Sequence, residues 1–408
     1  MTPTPLPYAG LRVLDISQGI AGPYCAHILW QQGAHVLKVE PPSGDWIRFV
    51  GVAKGDLSAL AIQFNAGKQA LALDARTEAG KKILFDLAMQ ADVIVQNFRP
   101  GVADRLGVGY SALSKIKPEL VYVSVSGYGQ TGPYADAPAT DSVMQADSGL
   151  MFSNQDEHGT PRRVGLLAAD VMTGLYASQG AATALYQRLA HKLGTHVQVS
   201  LFEACAAFQG ACFIEQAIAG KRPFGAVSAP NAVFATSDGT VSVVTVNTEH
   251  FHRVCKALSR EEWITDPRYL ENAIRFENRA ILHADMAQIL KQNTTAHWVA
   301  LLQKHDVLHA QVRNYTEVLE HPQALHLNLA QQLEQAGVGT RMLFGGNLLR
   351  QPVFQALLRD QPQAIRSVVP QMEGADRLME QALFLGTYPG LTEAMLQREL
   401  GIMLEFTR

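Results

Sequence analysis

Short β-type runs alternate with longer stretches of helical periodicity over the first 130 residues of the chain. The β-type runs are five to seven residues long and rich in Val, Ile and Leu, which is typical of strands buried on both faces. They are Leu11–Ser17, His35–Glu40, Ala70–Asp74, Val93–Asn97 and Val121–Ser126. Apolar residues at helical spacing lie between them, as in Gly80–Gln90. This alternation predicts an α/β fold with a mainly parallel sheet covered on both faces.

The same patterns continue beyond residue 164 and predict two helices around a strand, followed by a hairpin. These elements are helix Asp170–His191, strand His196–Leu201, helix Phe202–Ala219 and hairpin Val233–Val246. In the first helix we expect Leu175, Ala182 and Leu185 to face inward. Residues 249–330 are helix-rich and more charged. We therefore expect a large domain at 1–220, a small domain with linkers at 221–329, and a separate module at 330–408.

Composition excludes several classes of function. A chain of 408 residues with 47% hydrophobic content is long enough for two or three domains. Its formal net charge of −3 favours neither a nucleic acid nor an anionic membrane as partner. The start of the chain lacks the pattern of a signal peptide, and no apolar run reaches the length of a membrane span. We expect a cytoplasmic protein.

Metal binding is not expected either. The four cysteines lack zinc-type spacing and have mostly apolar neighbours, which favours buried free thiols. The 13 histidines form no recognisable ligand set. Five cations fall near strand ends or in loops, where they would suit an anionic ligand, although each alone is more typical of a solvated surface charge. These cations are Lys38, Arg48, Lys68, Arg99 and Arg105.

Asp170 is the only acidic or basic side chain between Val164 and Leu185. Most of its neighbours are small or apolar, and an unpaired carboxylate costs several kcal/mol to bury. Such a residue either caps the start of a helix by accepting its N–H groups or takes part in chemistry. The residues around it leave both interpretations open.

Several segments, taken in order, resemble the class III CoA-transferase (CaiB/BaiF) family over about residues 8–328. They are Leu11-Arg-Val-Leu-Asp-Ile16, Ala21-Gly-Pro-Tyr24, Gly33-Ala-His-Val-Leu-Lys-Val-Glu-Pro-Pro42, Asn97-Phe-Arg-Pro-Gly101, Arg105-Leu-Gly107 and Ser126-Gly-Tyr-Gly-Gln-Thr-Gly-Pro133. The resemblance implies a Rossmann-like parallel sheet that binds CoA, a smaller α+β domain, and a homodimer of two interlocked chains.

The resemblance also implies roles for individual residues. Asp170 matches the catalytic aspartate of the family, which attacks an acyl-CoA thioester and then carries CoA to a carboxylic acid acceptor. The positions that match CoA contacts are Phe64, Asn65, Lys68, Asn97, Phe98 and Arg105. The loop that contains Gly127, Gly129 and Gln130 matches a region near the active site. Acyl-CoA and a carboxylic acid are therefore the expected substrates, with no permanently bound cofactor.

A related activity stays open as an alternative. The α-methylacyl-CoA racemases share the fold and the aspartate, and add a histidine in a Gly-His-Asp segment as a second acid and base. The corresponding segment here reads Pro138-Ala-Thr-Asp141, with Thr140 at the histidine position. A threonine does not exchange protons near neutral pH, so the sequence favours CoA transfer over racemisation.

From about residue 330 the chain departs from the family pattern. This part resembles the C-terminal part of DegT/DnrJ-type PLP-dependent sugar aminotransferase/dehydrase enzymes, in Thr340-Arg341, Gly345-Gly-Asn347 and Tyr388-Pro-Gly-Leu-Thr392. The lysine that would hold PLP has no counterpart, so PLP is not expected. The departure keeps a second alternative open, a catalytically silent protein that binds acyl-CoA.

Overall fold

A computed structural model of the chain describes residues 6–55, 57–156, 158–220, 228–326, 340–342 and 383–385. The described residues up to Phe213 belong to one compact unit, and those from Ile214 to residue 326 form a second. Most of the expected C-terminal module at 330–408 lies outside the described residues, as do residues 221–227 at the start of the expected small domain.

A six-stranded parallel sheet forms the centre of the first unit and confirms the predicted α/β fold. Its strands are β1 (Arg12–Asp15), β2 (His35–Glu40), β5 (Gln69–Ala72), β6 (Val93–Gln96), β7 (Val121–Ser126) and β8 (Thr195–Ser200). A short antiparallel pair, β3 (Ala53–Lys54) and β4 (Leu57–Ser58), lies outside this sheet. The spatial order is β5-β2-β1-β6-β7-β8, so the direction of winding reverses between β1 and β6. Ligands of such sheets bind at the carboxyl ends of the strands, beside the reversal.

Helices cover both faces of this sheet. They are α1 (Ala21–Gln31), α2 (Ala59–Asn65), α3 (Glu78–Gln90), α4 (Val102–Arg105), α5 (Tyr110–Ile116), α6 (Asp141–Asp147), α7 (Leu150–Ser153), α8 (Ala168–His191) and α9 (Leu201–Phe208), with a 3₁₀ turn at Trp46–Phe49. Two cores result from the alternation of side chains along the strands. Val121, Val123 and Val125 of β7 face the core that contains α1 and α8, whereas Tyr122 faces the core that contains α3 and α5.

The helix α8 packs against α1 through small residues. Gly174, Ala177 and Ala181 are buried, whereas Leu175 is 47% exposed, so the prediction that Leu175 faces inward was wrong. Small residues let the two helix backbones approach closely: a Cβ atom on Gly174 would lie 2.9 Å from the carbonyl oxygen of Ala21. Close packing of small residues therefore decides this buried face, and Leu175 is not on it.

The second unit contains a three-stranded antiparallel sheet with helices around it. Its strands are β9 (Asn231–Ala235), β10 (Thr240–Val244) and β11 (Leu308–Gln311). The helices are α10 (Gly210–Ala219), which begins in the first unit, α11 (Thr248–Ala257), α12 (Asn272–Glu277), α13 (Arg279–Leu290), α14 (Thr295–Lys304), α15 (Tyr315–Leu319) and α16 (Pro322–His326), with a 3₁₀ turn at Glu261–Ile264. The predicted hairpin is confirmed by the antiparallel pairing of β9 with β10.

One predicted helix is divided in the structure, and two short strands pair near the end of the chain. The single helix predicted over Phe202–Ala219 is divided at Gln209 into α9 and α10. Within 330–408, β12 (Thr340–Met342) pairs antiparallel with β13 (Leu383–Leu385). None of the helices in the described part of the chain is both long and apolar enough to cross a membrane.

The close approach of α8 to α1 leads to a stability prediction. We expect Gly174→Ala to lower the free energy of unfolding by about 1–3 kcal/mol, because the added methyl group overpacks the contact with Ala21 and Tyr24. Urea unfolding followed by circular dichroism measures the change. The control is Gly210→Ala, where a Cβ atom would have no neighbour within 4 Å. Equal stability of the two variants would show that the helices separate at no cost.

Candidate active site

A cleft of about 480 Å³ lies at the carboxyl ends of β1, β6 and β7, where the winding of the sheet reverses. The loops after β1 and β6 form two of its walls, and the start of α8 contributes Asp170. The polar and charged side chains that line it are Gln18, Asn97, Arg99, Ser126, Thr140, Asp141 and Asp170, with Trp46 and Phe98 among the aromatic ones. Four of the residues named as site candidates therefore meet in one cleft: Asn97, Phe98, Gly127 and Asp170.

Asp170 does not cap the helix on which it lies. The helix α8 begins at Ala168, its N-cap residue is Leu167, and no side chain caps it. The capping interpretation of Asp170 was therefore wrong. The side chain is half-buried and lines the cleft. The carboxylate has no hydrogen-bond or ion-pair partner among the residues that the structure describes.

A second carboxylate, Asp141, lies directly beside Asp170. It is buried at the first position of α6, and its Oδ2 accepts a hydrogen bond from the backbone N–H of Asp170 at 3.2 Å. Gln145, one turn further along α6, donates to Asp141 Oδ1 at 2.6 Å and to the carbonyl of Leu166 at 3.0 Å. It also accepts the N–H of Val164 at 2.9 Å. Asp141 and Gln145 thus hold the segment that leads into α8.

These surroundings favour the protonated form of Asp170. Burial, and next the negative charge of Asp141, raise the pKa of Asp170 to about 7. The position in the first turn of α8 favours the ionised form, but a helix N-terminus contributes less than this opposing penalty. Asp170 consequently exchanges its proton near neutral pH, whereas an ordinary aspartate stays ionised there.

The side chain of Asn97 joins the two loops at the reversal point. Its Oδ1 accepts the N–H of Gln18 at 2.8 Å, and its Nδ2 donates to the carbonyl of Gln18 at 2.6 Å. The next residue, Phe98, donates its N–H to Gln96 Oε1 at 2.7 Å. Asn97 and Phe98 are half-buried and line the cleft, so both have a structural role and a face that a ligand can reach.

Phe64, Asn65 and Lys68 do not line this cleft. Phe64 is buried against Tyr24, with ring centroids 5.4 Å apart. Lys68 is only 3% exposed, and its Nζ donates to Asp15, Asn65 and the carbonyl of Pro23 at 2.7–2.9 Å. Burial lowers the pKa of Lys68 to about 8, although Asp15 opposes the shift. The contact of these three residues with CoA stays a prediction.

A buried network of charges lies beneath the cleft, and sequence analysis missed its acidic members. Lys68 pairs with Asp15 at 2.8 Å, and Lys38 pairs with Asp45 at 3.0 Å and lies 3.9 Å from Asp15. Burial raises the pKa of Asp15, but Lys38 and Lys68 outweigh it and hold this pKa below its usual value. Both lysines are therefore paired with carboxylates inside the protein. A charged residue within each apolar strand, Asp15 in β1 and Lys38 in β2, could have indicated buried ion pairs from the sequence.

The remaining candidates are spread around the rim. Gly127 lines the cleft, and a Cβ atom there would lie 2.2 Å from that of Ala139. Gly129 has a positive φ of 113°, while Gln130 lines a neighbouring pocket and Arg105 is exposed at the end of α4. Of the three residues named in the predicted active-site loop, Gly127 therefore lines the cleft, whereas Gly129 and Gln130 do not.

Trp46 and Arg99 also line the cleft, although neither was among the site residues expected from the sequence. Trp46 is 51% exposed and packs on Gly19, where a Cβ atom would lie 2.4 Å from its ring. Arg48, in contrast, forms a bidentate pair with Glu40 at 2.7 Å. Three of the five loop cations noted in the sequence are thus used internally, and Arg99 and Arg105 are exposed.

Neither a metal site nor a disulfide is found in the described part of the chain. All four cysteines are free, and Cys25, Cys205 and Cys255 are buried, as predicted, whereas Cys212 is half-buried.

Comparison with known proteins gives consistent matches. The sequence model of CoA-transferase family III matches residues 8–377, and so extends beyond residue 328, where the resemblance had been expected to end. Acetyl-CoA:oxalate CoA-transferase of Acetobacter aceti is 36% identical over 330 residues, 79% of this chain and 85% of that protein. Human succinyl-CoA:glutarate CoA-transferase is 33% identical over 341 residues, 82% of this chain and 78% of that protein.

Solved structures match as well. The crystal structure of a CaiB/BaiF family protein from Brucella suis has a TM-score of 0.75 and 27% identity, covering 98% of this chain and all of that one. A Mycobacterium tuberculosis protein has a TM-score of 0.72 and 28% identity, covering 80% of this chain and 88% of that one.

The raised pKa of Asp170 predicts a cost in stability that depends on pH. Between pH 4 and 7 the folded chain keeps a proton that the unfolded chain releases, so this residue destabilises the fold increasingly as the pH rises through that range. We expect Asp170→Asn to raise Tm by about 2 °C at pH 8 and by clearly less at pH 5. Thermal unfolding at both values measures this, with Asp136→Asn, an exposed carboxylate, as control. A gain independent of pH would contradict the raised pKa.

Proposed function

The chain belongs to CoA-transferase family III, and we propose that it moves CoA from an acyl-CoA donor to a carboxylic acid acceptor, with Asp170 as the nucleophile. One observation carries this proposal. Asp170 points a half-buried carboxylate, without a partner among the described residues, into a cleft at the reversal point of a parallel sheet. A poorly solvated carboxylate near its pKa at neutral pH is suited to attack a thioester.

The proposed reaction passes through two kinds of covalent intermediate. A carboxylate oxygen of Asp170 attacks the thioester carbonyl and expels the CoA thiolate, which leaves a mixed anhydride. The thiolate then attacks the Asp170 carbonyl, releases the donor acid and forms an aspartyl-CoA thioester. The acceptor carboxylate attacks this thioester, the thiolate leaves again, and its attack on the new acyl group gives the product and frees Asp170. No net proton is consumed.

The groups around Asp170 support this sequence of steps. Asp141 cannot neutralise the nucleophile because both carry negative charge, and it holds the backbone of Asp170 through the N–H. Formation of the anhydride removes the repulsion between the two carboxylates. The ground state is thus less stable than it would be beside a cation, a form of destabilisation that the acylated enzyme no longer carries.

The relatives support short dicarboxylic acids as the substrate class. One relative named above is an acetyl-CoA:oxalate CoA-transferase and the other a succinyl-CoA:glutarate CoA-transferase. We propose that at least one partner in the exchange, the donor acyl group or the acceptor, is an acid of this kind. CoA enters as a substrate, bound along the loops that contain Asn97, Phe98 and Arg105.

Racemisation has less support than transfer. Thr140, at the position where the racemases have a histidine, lines the cleft as the N-cap residue of α6. No histidine lines this cleft within the described part of the chain. The base that would return a proton to the opposite face of Cα is therefore not evident.

We also propose a homodimer, which the family resemblance implies. Tyr186 and Leu189 of α8 are 73% and 72% exposed and lie three residues apart, on the same side of the helix, and Leu193 just beyond the helix is 54% exposed. Exposed apolar residues grouped in this way are typical of an interface. Light scattering should give about twice the chain mass of 44.4 kDa. A stable species with the mass of one chain would contradict the dimer.

A trapping experiment tests the nucleophile. We expect incubation with an acyl-CoA and hydroxylamine to convert Asp170 to a hydroxamate, detected by peptide mass spectrometry, because hydroxylamine attacks the acylated carboxylate. Asp170→Ala should lose both the label and CoA transfer, by at least about 10³-fold in rate. Asp136→Asn serves as the matched control and should retain both. Undiminished transfer by Asp170→Ala would overturn the mechanism, and wild-type protein without label or turnover would indicate a silent CoA-binding protein.

A further inference from the structure

A second pocket, of about 210 Å³, adjoins the cleft of Asp170 within the first unit. The same two loops border both spaces: Asn97 and Phe98 line the cleft while Gln96 lines the pocket, and Gly127 lines the cleft while Gln130 lines the pocket. Arg99 lines both. The pocket and the cleft therefore meet at Arg99, the residue that lines both.

Two hydrogen-bond donors at this pocket have no partner within the described residues. The Nε2 atom of Gln130 is buried and makes no hydrogen bond to any described residue. The guanidinium of Arg99 is exposed and, in the part of the chain that the structure describes, has neither a hydrogen bond nor an ion pair, in contrast to Lys38, Arg48 and Lys68. A buried amide that lacks a partner costs free energy, which a ligand can recover by accepting its hydrogen bond.

Three other polar side chains that line the pocket are linked by hydrogen bonds. Gln96 Nε2 donates to Ser124 Oγ at 2.8 Å, and that hydroxyl lies 2.8 Å from His196 Nε2. The ring of His196 stacks on that of Tyr110, with centroids 4.4 Å apart. Arg99 and Gln130 thus leave two donors unused, one of them a cation, and this pair matches a carboxylate.

The acidic residues nearby limit where such a carboxylate can lie. Asp104 also lines the pocket, with its carboxylate against Gly109, where a Cβ atom would come within 1.8 Å of Oδ1. In the cleft, Asp141 and Asp170 repel an acidic substrate, and Arg99 is the only cation among the described residues that line it. Among the described residues, Arg99 is the cation that lines both spaces, and it compensates an anion at their junction.

We propose that this pocket binds the distal carboxylate of a dicarboxylic acid while its other carboxylate reacts at Asp170. Arg99 pairs with the distal carboxylate, and Gln130 Nε2 donates to one of its oxygens. The inference rests on the proposed CoA transfer and adds two specificity-determining residues to it. On this proposal the pocket selects substrate acids by the presence of a second carboxylate, and not by the length of their carbon chain.

A pair of acceptors that differ in one group tests this assignment. Transfer is measured to succinate and to butyrate, with acetyl-CoA as donor at saturation. Arg99→Gln should lower kcat/KM for succinate about tenfold or more and leave the value for butyrate within about twofold, because only succinate loses a charge-assisted bond. Gln130→Met should act in the same direction with a smaller effect. The exposed control Arg313→Gln should change neither value.

Asp104→Asn provides a test of opposite sign. Removal of the negative charge should lower KM for succinate severalfold and leave KM for butyrate unchanged, while the isosteric amide keeps the packing against Gly109. A variant that gains affinity cannot be explained by misfolding.

Three results would overturn the assignment. The first is an equal loss of kcat/KM for succinate and butyrate in Arg99→Gln. The second is a raised KM for the acyl-CoA in that variant, which would place Arg99 on a CoA phosphate. The third is a wild-type protein that does not prefer succinate to butyrate. Succinate binding by calorimetry separates this question from the proposed function. If the protein binds succinate, loses affinity in Arg99→Gln and shows no CoA transfer, the assignment of the pocket stands and the proposed reaction is rejected. If the protein transfers CoA but does not bind succinate, the reaction stands and the assignment of the pocket is rejected.

Discussion

The buried network of Asp15, Lys38, Asp45 and Lys68 is the constraint on which the cleft depends. Its charges lie at the end of β1, within β2, after β2 and directly before β5, with nearly no exposure to solvent. Lys38 donates to the carbonyl of Ser17 at 2.8 Å, and Asp45 accepts the N–H of Gly19 at 3.0 Å, so the ions hold the backbone of the loop after β1. Removal of one member leaves a buried charge without compensation, which costs several kcal/mol. The loop that forms one wall of the cleft is therefore fixed by charges beneath it.

The contrast between this network and Asp170 explains where reactivity resides. Asp15 is surrounded by lysines and has a lowered pKa, whereas Asp170, with a second carboxylate beside it, has a raised one. Both are aspartates in low-polarity surroundings, and the sign of the neighbouring charge separates their roles. The first stabilises the fold through its ion pairs, and the second keeps a carboxylate available for covalent chemistry.

Asn97 transmits this order to the other side of the cleft. Because its amide bonds both backbone groups of Gln18, the loops after β1 and β6 behave as one surface at the reversal point. Phe98 and Arg99 follow directly, so the position of the cation that faces both the cleft and the neighbouring pocket derives from the same pair of bonds. Specificity for a substrate acid can thus be set by Arg99 and Gln130 without any change at Asp170.

The strands of the parallel sheet, the hairpin of the second unit and the isolation of Asp170 could be predicted from the sequence, because each is a local pattern of apolar, turn or charged residues. The ordered motifs of the chain also indicated the family. The three-dimensional contacts were needed to show that Lys68 pairs with Asp15, 53 residues away, and that Asn97 bonds Gln18, 79 residues away. They were also needed to show that Asp170 follows the start of α8 without capping it, and that Leu175 is exposed while Gly174 is buried. Burial and ionisation depend on neighbours from distant parts of the chain, and a periodic pattern contains no record of them.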